Sequence, residues 1–236
     1  MERPYIICHM VTSLDGKVTG SYLSAPECGP AAELYYALHR DRKADAFACG
    51  RVTMEGSFTG GWYPDLQDYS PAPGWRWKMD FIPEDLGDFY AVAFDPHGRL
   101  GWASARIADP DGDPGYDKAR IIEVLTHDID PRYTGYLEEK GIAYIFAGEQ
   151  ELDLPLALMK LRRFFGMQVL LLEGGSILNG AFQRCGLIDE LSLVVAPMAA
   201  EAEDKPLFTD SALQHFRLAE VQNHNGILWL NYKRST

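Results

Sequence analysis

Met167-Gln-Val-Leu-Leu-Leu-Glu-Gly-Gly-Ser-Ile-Leu-Asn-Gly-Ala-Phe-Gln-Arg-Cys185 is the stretch on which the fold is decided. Val169 to Leu172 is an unbroken apolar run, short enough for a strand buried on both faces. It ends at Glu173, and Gly174-Gly175-Ser176 then opens a helical pattern with Ile177, Leu178, Ala181 and Phe182 on one face. A strand that turns through two glycines into a helix aims free backbone N–H groups and the positive end of a helix dipole at one point. Phosphate suits that arrangement, because the missing Cβ atoms let an anion approach the main chain. An isolated Gly-Gly is also an ordinary tight turn, so the rest of the chain carries the decision.

Working outward, Leu154 to Phe165 is an amphipathic helix ending at Gly166, and it feeds the run at 169–172. Behind it, Gly186 stops the helix at 176–185, and Leu187 to Ala196 reads as another strand. Pro4 to Val11 is a buried first strand, followed by the turn residues of Thr12-Ser13-Leu14-Asp15-Gly16-Lys17. Residues 18–29 read as a loop, and Pro30 opens a helix to Arg42. Ala44 to Cys49 is a second strand, and Gly50-Arg51-Val52-Thr53 leads from it into a short helix, a second strand–glycine–helix junction.

The segment 58–88 is crowded with Trp, Pro and Gly and has no clear period, so it reads as a long excursion. Strands follow at 89–94, 119–126 and 142–147, with a helix at 131–140 and a short hairpin return at Arg99 to Trp102. Phe216 to Val221 and Ile227 to Lys233 flank Asn223-His224-Asn225-Gly226, the pattern of a β-hairpin. Alternating strands and helices imply an α/β fold: a mostly parallel sheet flanked by helices, with an antiparallel C-terminal hairpin at one edge. No repeat or linker separates two cores, so residues 1–236 read as a single domain.

Hydrophobic residues make up 47% of the 236, enough for a substantial core. A formal net charge of −12 argues against nucleic acid and anionic membranes as partners, yet leaves room for a phosphorylated small molecule held by local cations. The four cysteines show neither C-x-x-C spacing nor paired histidines, so neither disulfides nor a metal site is expected; Cys8 and Cys49 read as small hydrophobes within strands. No apolar run is long enough to span a bilayer, and the N-terminus lacks the pattern of a signal peptide. A cytoplasmic protein is the expectation.

Ser13-Leu14-Asp15-Gly16-Lys17, Gly50-Arg51-Val52-Thr53, and Glu173-Gly174-Gly175-Ser176 with Gly186-Leu187-Ile188-Asp189-Glu190-Leu191 together resemble the dihydrofolate-reductase-like fold. The nearest likeness is to the reductase domain of the bacterial riboflavin-biosynthesis deaminase–reductase. The resemblance covers about the first 55 residues and residues 167–197, and fades across 58–118. It implies a 5-amino-6-(5-phosphoribosylamino)uracil reductase-like oxidoreductase using NADPH, often a homodimer. In relatives the cofactor lies across the carboxyl ends of the parallel strands, where ligands of open α/β sheets bind.

Gly174, Gly175, Ser176, Ile177 and Leu178 match the family's pyrophosphate and nicotinamide-ribose loop. Thr53, with Val52 beside it in the first helical turn, matches the residue whose hydroxyl and amide meet phosphate. Arg51 stands where it would read the 2′-phosphate of NADPH. Val11 and Thr12 end the strand that lies under the nicotinamide in relatives. The reading requires both glycine junctions to serve one diphosphate. On the substrate side the resemblance implies Lys17 near a ribose phosphate and Glu173 facing the substrate; Asp15 and His9 are each either structural, in the turn and in the core respectively, or substrate contacts. The expected chemistry is hydride transfer from nicotinamide C4 to a C=N or C=O carbon, with no side chain assigned as proton donor.

The chain departs from the riboflavin reductases after Thr53: no arginine appears until Arg76, tryptophans and prolines take its place, and no zinc-deaminase half is legible. Two alternatives stand. A dihydrofolate or other pterin reductase would use Glu33, on the first helix, as its acid; a non-catalytic module would bind NADPH and turn nothing over.

Overall fold

The structure is a computed structural model and describes residues 2–235. The chain falls into two compact units, one formed by Asp45–Gln168 with the residues up to Pro4, the other by Tyr5–Ala44 with the chain from Val169 onward.

In the second unit, β1 (Tyr5–Thr12) is the parallel partner of β6 (Val169–Leu172), in register from Tyr5 with Val169 to Cys8 with Leu172. On its other side β1 pairs in parallel with β7 (Glu190–Val195), from Ile7 with Glu190 to Thr12 with Val195. The run of apolar residues at 169–172 thus becomes a strand buried from Leu170 to Leu172, as its lack of alternation requires. The hairpin of β8 (Phe216–His224) and β9 (Ile227–Arg234) follows, with β9 antiparallel to β7 and β8 outermost. Its turn uses Asn225 and Gly226, both at positive φ, which those two residues adopt readily. Helix α1 (Gly29–Asp41) lays Ala31, Leu34 and Leu38 against a core that contains Val194, Ala196, Ile227 and Trp229.

The first unit is a run of four parallel strands. β2 (Ala46–Gly50), β3 (Tyr90–Phe94), β4 (Arg120–Leu125) and β5 (Ala143–Phe146) pair in chain order and are buried almost throughout. Helices α2 (Arg51–Met54) and α3 (Arg132–Glu139) belong to this unit, as does α4 (Leu154–Phe165). The boundaries of α4 follow from its sequence: the Asp153 carboxylate accepts the Leu156 N–H at 2.9 Å, Pro155 sits in the first turn, and Gly166 closes the helix at φ +69°. Between residues 58 and 88 there is no strand, only a wide turn over Glu55–Thr59, a short 3₁₀ turn at Trp75–Trp77 and one bridge from Phe81 to Tyr144. Among the described residues, no helix is long and apolar enough to cross a membrane.

Three local expectations are corrected. Arg99 to Trp102 forms no return strand, because the backbone groups a ladder would use are taken by side chains. Asp95 Oδ2 accepts the N–H of Arg99 and of Leu100 at 2.5 and 2.8 Å, and the Tyr136 hydroxyl bonds both the N–H and the carbonyl of Trp102 at 2.6 Å. β7 begins at Glu190 rather than Leu187, since Asp189 turns the chain by accepting the Ile6 N–H on its carboxylate while donating its own N–H to the Ile6 carbonyl. The loop at 18–29 contains two 3₁₀ turns, Ser21–Ser24 and Pro26–Cys28, and the helix after it starts at Gly29.

One buried acid of the first unit has a consequence for stability. Glu123 lies inside β4, fully buried, and its Oε1 accepts from the Trp102 indole and, at 3.3 Å, the Tyr133 hydroxyl. Burial, and secondarily the carboxylate of Asp95, hold the Glu123 carboxyl far above the ordinary range. A group with a raised folded pKa keeps a proton that the unfolded chain releases. The protein therefore loses stability as pH rises from the ordinary glutamate value (about 4.3) toward the folded one. Glu123→Gln keeps the shape and removes the titration, so it should flatten this decline. Urea midpoints measured across pH decide the matter: an undiminished slope in the variant assigns the dependence to another group.

Candidate active site

The second unit carries the Gly-Gly junction. β6 ends at Leu172, and Gly174 and Gly175 lead into α5 (Ser176–Arg184). Gly174 has φ +102°, a conformation that L side chains rarely adopt, and a Cβ there would stand 3.3 Å from Met10 Cε. The Gly174–Gly175 peptide is cis. Gly175 is the N-cap residue of α5 in extended conformation, and no side chain caps the helix. The hydroxyl of Ser176, which could have served the helix start, is bound instead to the Pro206 carbonyl at 2.5 Å and to Thr209 Oγ1 at 2.6 Å. The first turn of α5 is thereby left with its amides uncapped by side chains, the feature an anion site needs.

Leu178 and Phe182 are buried, but Ile177 is 68% exposed and stands off the apolar face on which the helical pattern placed it. The helix buries the side that carries Leu178, Asn179 and Phe182, and Ile177, about 100° away from Leu178, turns outward. Val11 is half-buried and Thr12 buried at the end of β1.

Glu173, between β6 and the glycines, is buried and paired with His39 of α1, whose Nδ1 lies 2.7 Å from Glu173 Oε1; both side chains are 3% exposed. His9 is fully buried and stacked on Tyr35 with ring centroids 4.3 Å apart. One of its ring nitrogens meets Ser192 Oγ at 3.0 Å and the other the Tyr35 carbonyl at 3.0 Å. Burial depresses its pKa. Those contacts place His9 in the core.

Ser13 to Lys17 is a self-closed turn. Ser13 Oγ donates to Asp15 Oδ1 at 2.7 Å and accepts the Lys17 N–H at 2.9 Å, and Gly16 takes φ +77°. Asp15 also accepts the Ala200 N–H, which with Ser13 holds its carboxyl below the ordinary range. The Lys17 ammonium donates to the carbonyls of Ala202 and Asp204 at 3.0 and 2.7 Å. Glu33 lies on the exposed face of α1.

The first unit carries the other junction. β2 runs into α2 through Gly50, the N-cap residue, again with no side-chain cap. Arg51 is partly exposed and paired with Glu55 one turn on, and the Tyr63 hydroxyl donates to the other carboxylate oxygen of Glu55. Val52 is exposed and Thr53 half-buried. His39, Glu55 and Tyr63 were not singled out by the sequence reading. Glu55 had a signal, being four residues after Arg51 in a helix; His39 had none, because its partner lies 134 positions away.

Both junctions pass from a parallel strand through glycine into a helix start with no side-chain cap, the geometry at which α/β folds bind anions, and a reductase of this fold implies a nicotinamide cofactor. The chain belongs to the family of the RibD C-terminal domain, whose model matches residues 115–227, and it is a reductase of the riboflavin-biosynthesis type. It is 31% identical over 208 residues to a 2,5-diamino-6-ribosylamino-4(3H)-pyrimidinone 5′-phosphate reductase from Methanothermobacter thermautotrophicus, spanning 88% of this chain and 84% of that one. A protein of the same description from Aquifex aeolicus is 25% identical over 210 residues, 87% of this chain and 82% of its own. Among solved structures, a pyrimidine reductase-like protein from Corynebacterium diphtheriae superposes with a TM-score of 0.67 at 18% identity, covering 99% of this chain and 92% of that one. RibD of Acinetobacter baumannii gives a TM-score of 0.67 at 19% identity over 99% of this chain, which spans 58% of the RibD chain. These structures share the fold: mostly parallel strands flanked by helices, with the antiparallel C-terminal hairpin.

Proposed function

We propose that the chain reduces a ribosylaminopyrimidine 5′-phosphate with NADPH. The observation that carries the cofactor half is the Gly174–Gly175 cradle at the uncapped start of α5. In this reading the amides of Ser176, Ile177 and Leu178 hold the diphosphate; Gly50-Arg51-Val52-Thr53, the glycine junction of the first unit, is a second cofactor-contact segment, with Arg51 as the cation for a 2′-phosphate. Val11 and Thr12 form the floor under the nicotinamide. When bound, the nicotinamide supplies a hydride from C4. The residues of the chain position the reacting carbon and keep water away from it. Glu173, fixed by His39, offers a carboxylate to the amino groups of a pyrimidine.

The names of the two curated relatives support the 2,5-diamino-6-ribosylamino-4(3H)-pyrimidinone 5′-phosphate as substrate ahead of its deaminated uracil counterpart. Lys17 is the cation proposed for the substrate phosphate: its ammonium is anchored on two carbonyls and keeps a third N–H. Steady loss of NADPH absorbance with the diamino substrate is the expected result. Saturable NADPH binding with no turnover of either pyrimidine would instead make the chain a binding module. Turnover of dihydrofolate at comparable kcat/KM would favour the pterin reading, for which Glu33 is the acid.

A homodimer is also proposed, supported by β8, an edge strand whose residues are nearly all exposed. Light scattering at the mass of one chain would remove it.

A further inference from the structure

Asn179 is the fourth residue of α5, and its side chain is fully buried. Neither its amide nitrogen nor its carbonyl oxygen has a hydrogen-bond partner. Buried polar atoms left unmatched are rare in folded proteins, and an apolar side chain of the same branched outline, leucine, would cover the site without them. The position therefore favours a carboxamide for something other than packing.

The surroundings say what that is. Side chains on a helix lie back over the preceding turn, and here the preceding turn is the glycine pair. Asn179 Nδ2 lies 4.0 Å from the point where a Cβ of Gly174 would stand. On β1, Met10 presents Cε and Sδ to the same point at 3.3 and 3.4 Å. The space beside Gly174 is thus bordered both by an apolar side chain and by a carboxamide with unused donor and acceptor capacity. The Asn179 N–H is already committed to the Gly175 carbonyl at 3.0 Å, so the helix ties the backbone of Asn179 to the turn its side chain covers.

We propose that Asn179 is a positioning residue for the dinucleotide: its buried carboxamide takes hold of the main chain of the Gly174–Gly175 turn in the loaded protein and fixes the first amides of α5 on the diphosphate. The inference rests on the cofactor reading given above. It has a signature that a packing role does not share. The free chain bears two unmatched polar atoms that the loaded chain does not, so removing them should help the free protein and harm binding.

The test compares wild type with Asn179→Leu, using thermal melting of the free protein and fluorescence titration with NADPH. Asn179→Leu should melt at or above the wild-type temperature while its Kd rises about tenfold, the loss of one or two well-made hydrogen bonds. Asn179→Ser, which keeps one hydroxyl, should recover part of the affinity. Unchanged affinity in Asn179→Leu overturns the proposal. So does a variant that melts lower or fails to fold, since the carboxamide would then serve the free fold. If wild type binds neither NADPH nor NADH, the cofactor reading itself fails, an outcome separate from the first two.

Discussion

Gly175→Asp should leave the fold intact and abolish dinucleotide binding. Gly175 has φ −78° and ψ −170°, extended backbone that any residue adopts, and it is the N-cap residue of α5. Aspartate is among the best N-caps, so its carboxylate would accept the free amides of the first turn and stabilise the helix by about 1 kcal/mol. The same carboxylate would occupy the place where the diphosphate is proposed to sit and repel it. Losing two or three charge-assisted hydrogen bonds to an anion corresponds to a Kd at least about a hundredfold weaker. The expected pair of results is an equal or higher melting temperature and no saturable NADPH binding. Undiminished affinity would sink the assignment of this turn to the diphosphate. Gly174→Ala makes the contrast: its φ of +102° and the nearby Met10 predict loss of stability along with loss of binding.

The second large effect concerns the choice between NADPH and NADH. Arg51 is already paired with Glu55, and Tyr63 holds Glu55 from the far side. A 2′-phosphate must therefore draw the guanidinium away from a carboxylate, whereas a plain ribose hydroxyl need not. Arg51→Ala should reduce the preference for NADPH by about tenfold, the scale of one charged hydrogen-bonded pair. Glu55→Gln should move the preference the other way, because it leaves the arginine uncontested. As a partly exposed pair one turn apart, Arg51 and Glu55 contribute little to folding, so both variants should melt near wild type. The ratio of the two dissociation constants is the measurement. A ratio unmoved by both substitutions removes Arg51 from the cofactor site.

The parts of this fold that were legible in the sequence are those governed by neighbours a few residues apart. The strand at 169–172, the helix at 154–165 and the Asn225-Gly226 hairpin each rest on local periodicity, a cap or a turn residue; the first two have the limits their patterns implied, while β8 runs on past Val221 to His224 and leaves only Asn225-Gly226 as the turn. Residues 99–102 read as strand and are not, because Asp95 and Tyr136 take their backbone groups, and Tyr136 comes from a helix more than thirty positions on. Periodicity also put Ile177 with Leu178, although successive helical residues point about 100° apart.

The same division holds at the candidate site. Gly174, Gly175 and Ser176 declare themselves by type and order. The partner of Glu173 does not, and neither does the anchoring of Lys17 on carbonyls 185 and 187 positions away. His9 shows the limit from the other side: a histidine looks reactive in a sequence, and only its contacts with Tyr35 and Ser192 show it satisfied in the core.

Gly180, one turn into α5, has no room for a side chain, because a Cβ would fall 1.7 Å from the Thr209 carbonyl. Together with the Ser176 hydroxyl on Pro206 and Thr209, this rivets residues 206–209 along the flank of the helix. Grafting, trimming or tagging within that connector would therefore disturb the start of α5, where the diphosphate is proposed to sit. An engineer seeking an insertion point in this enzyme should pass it over.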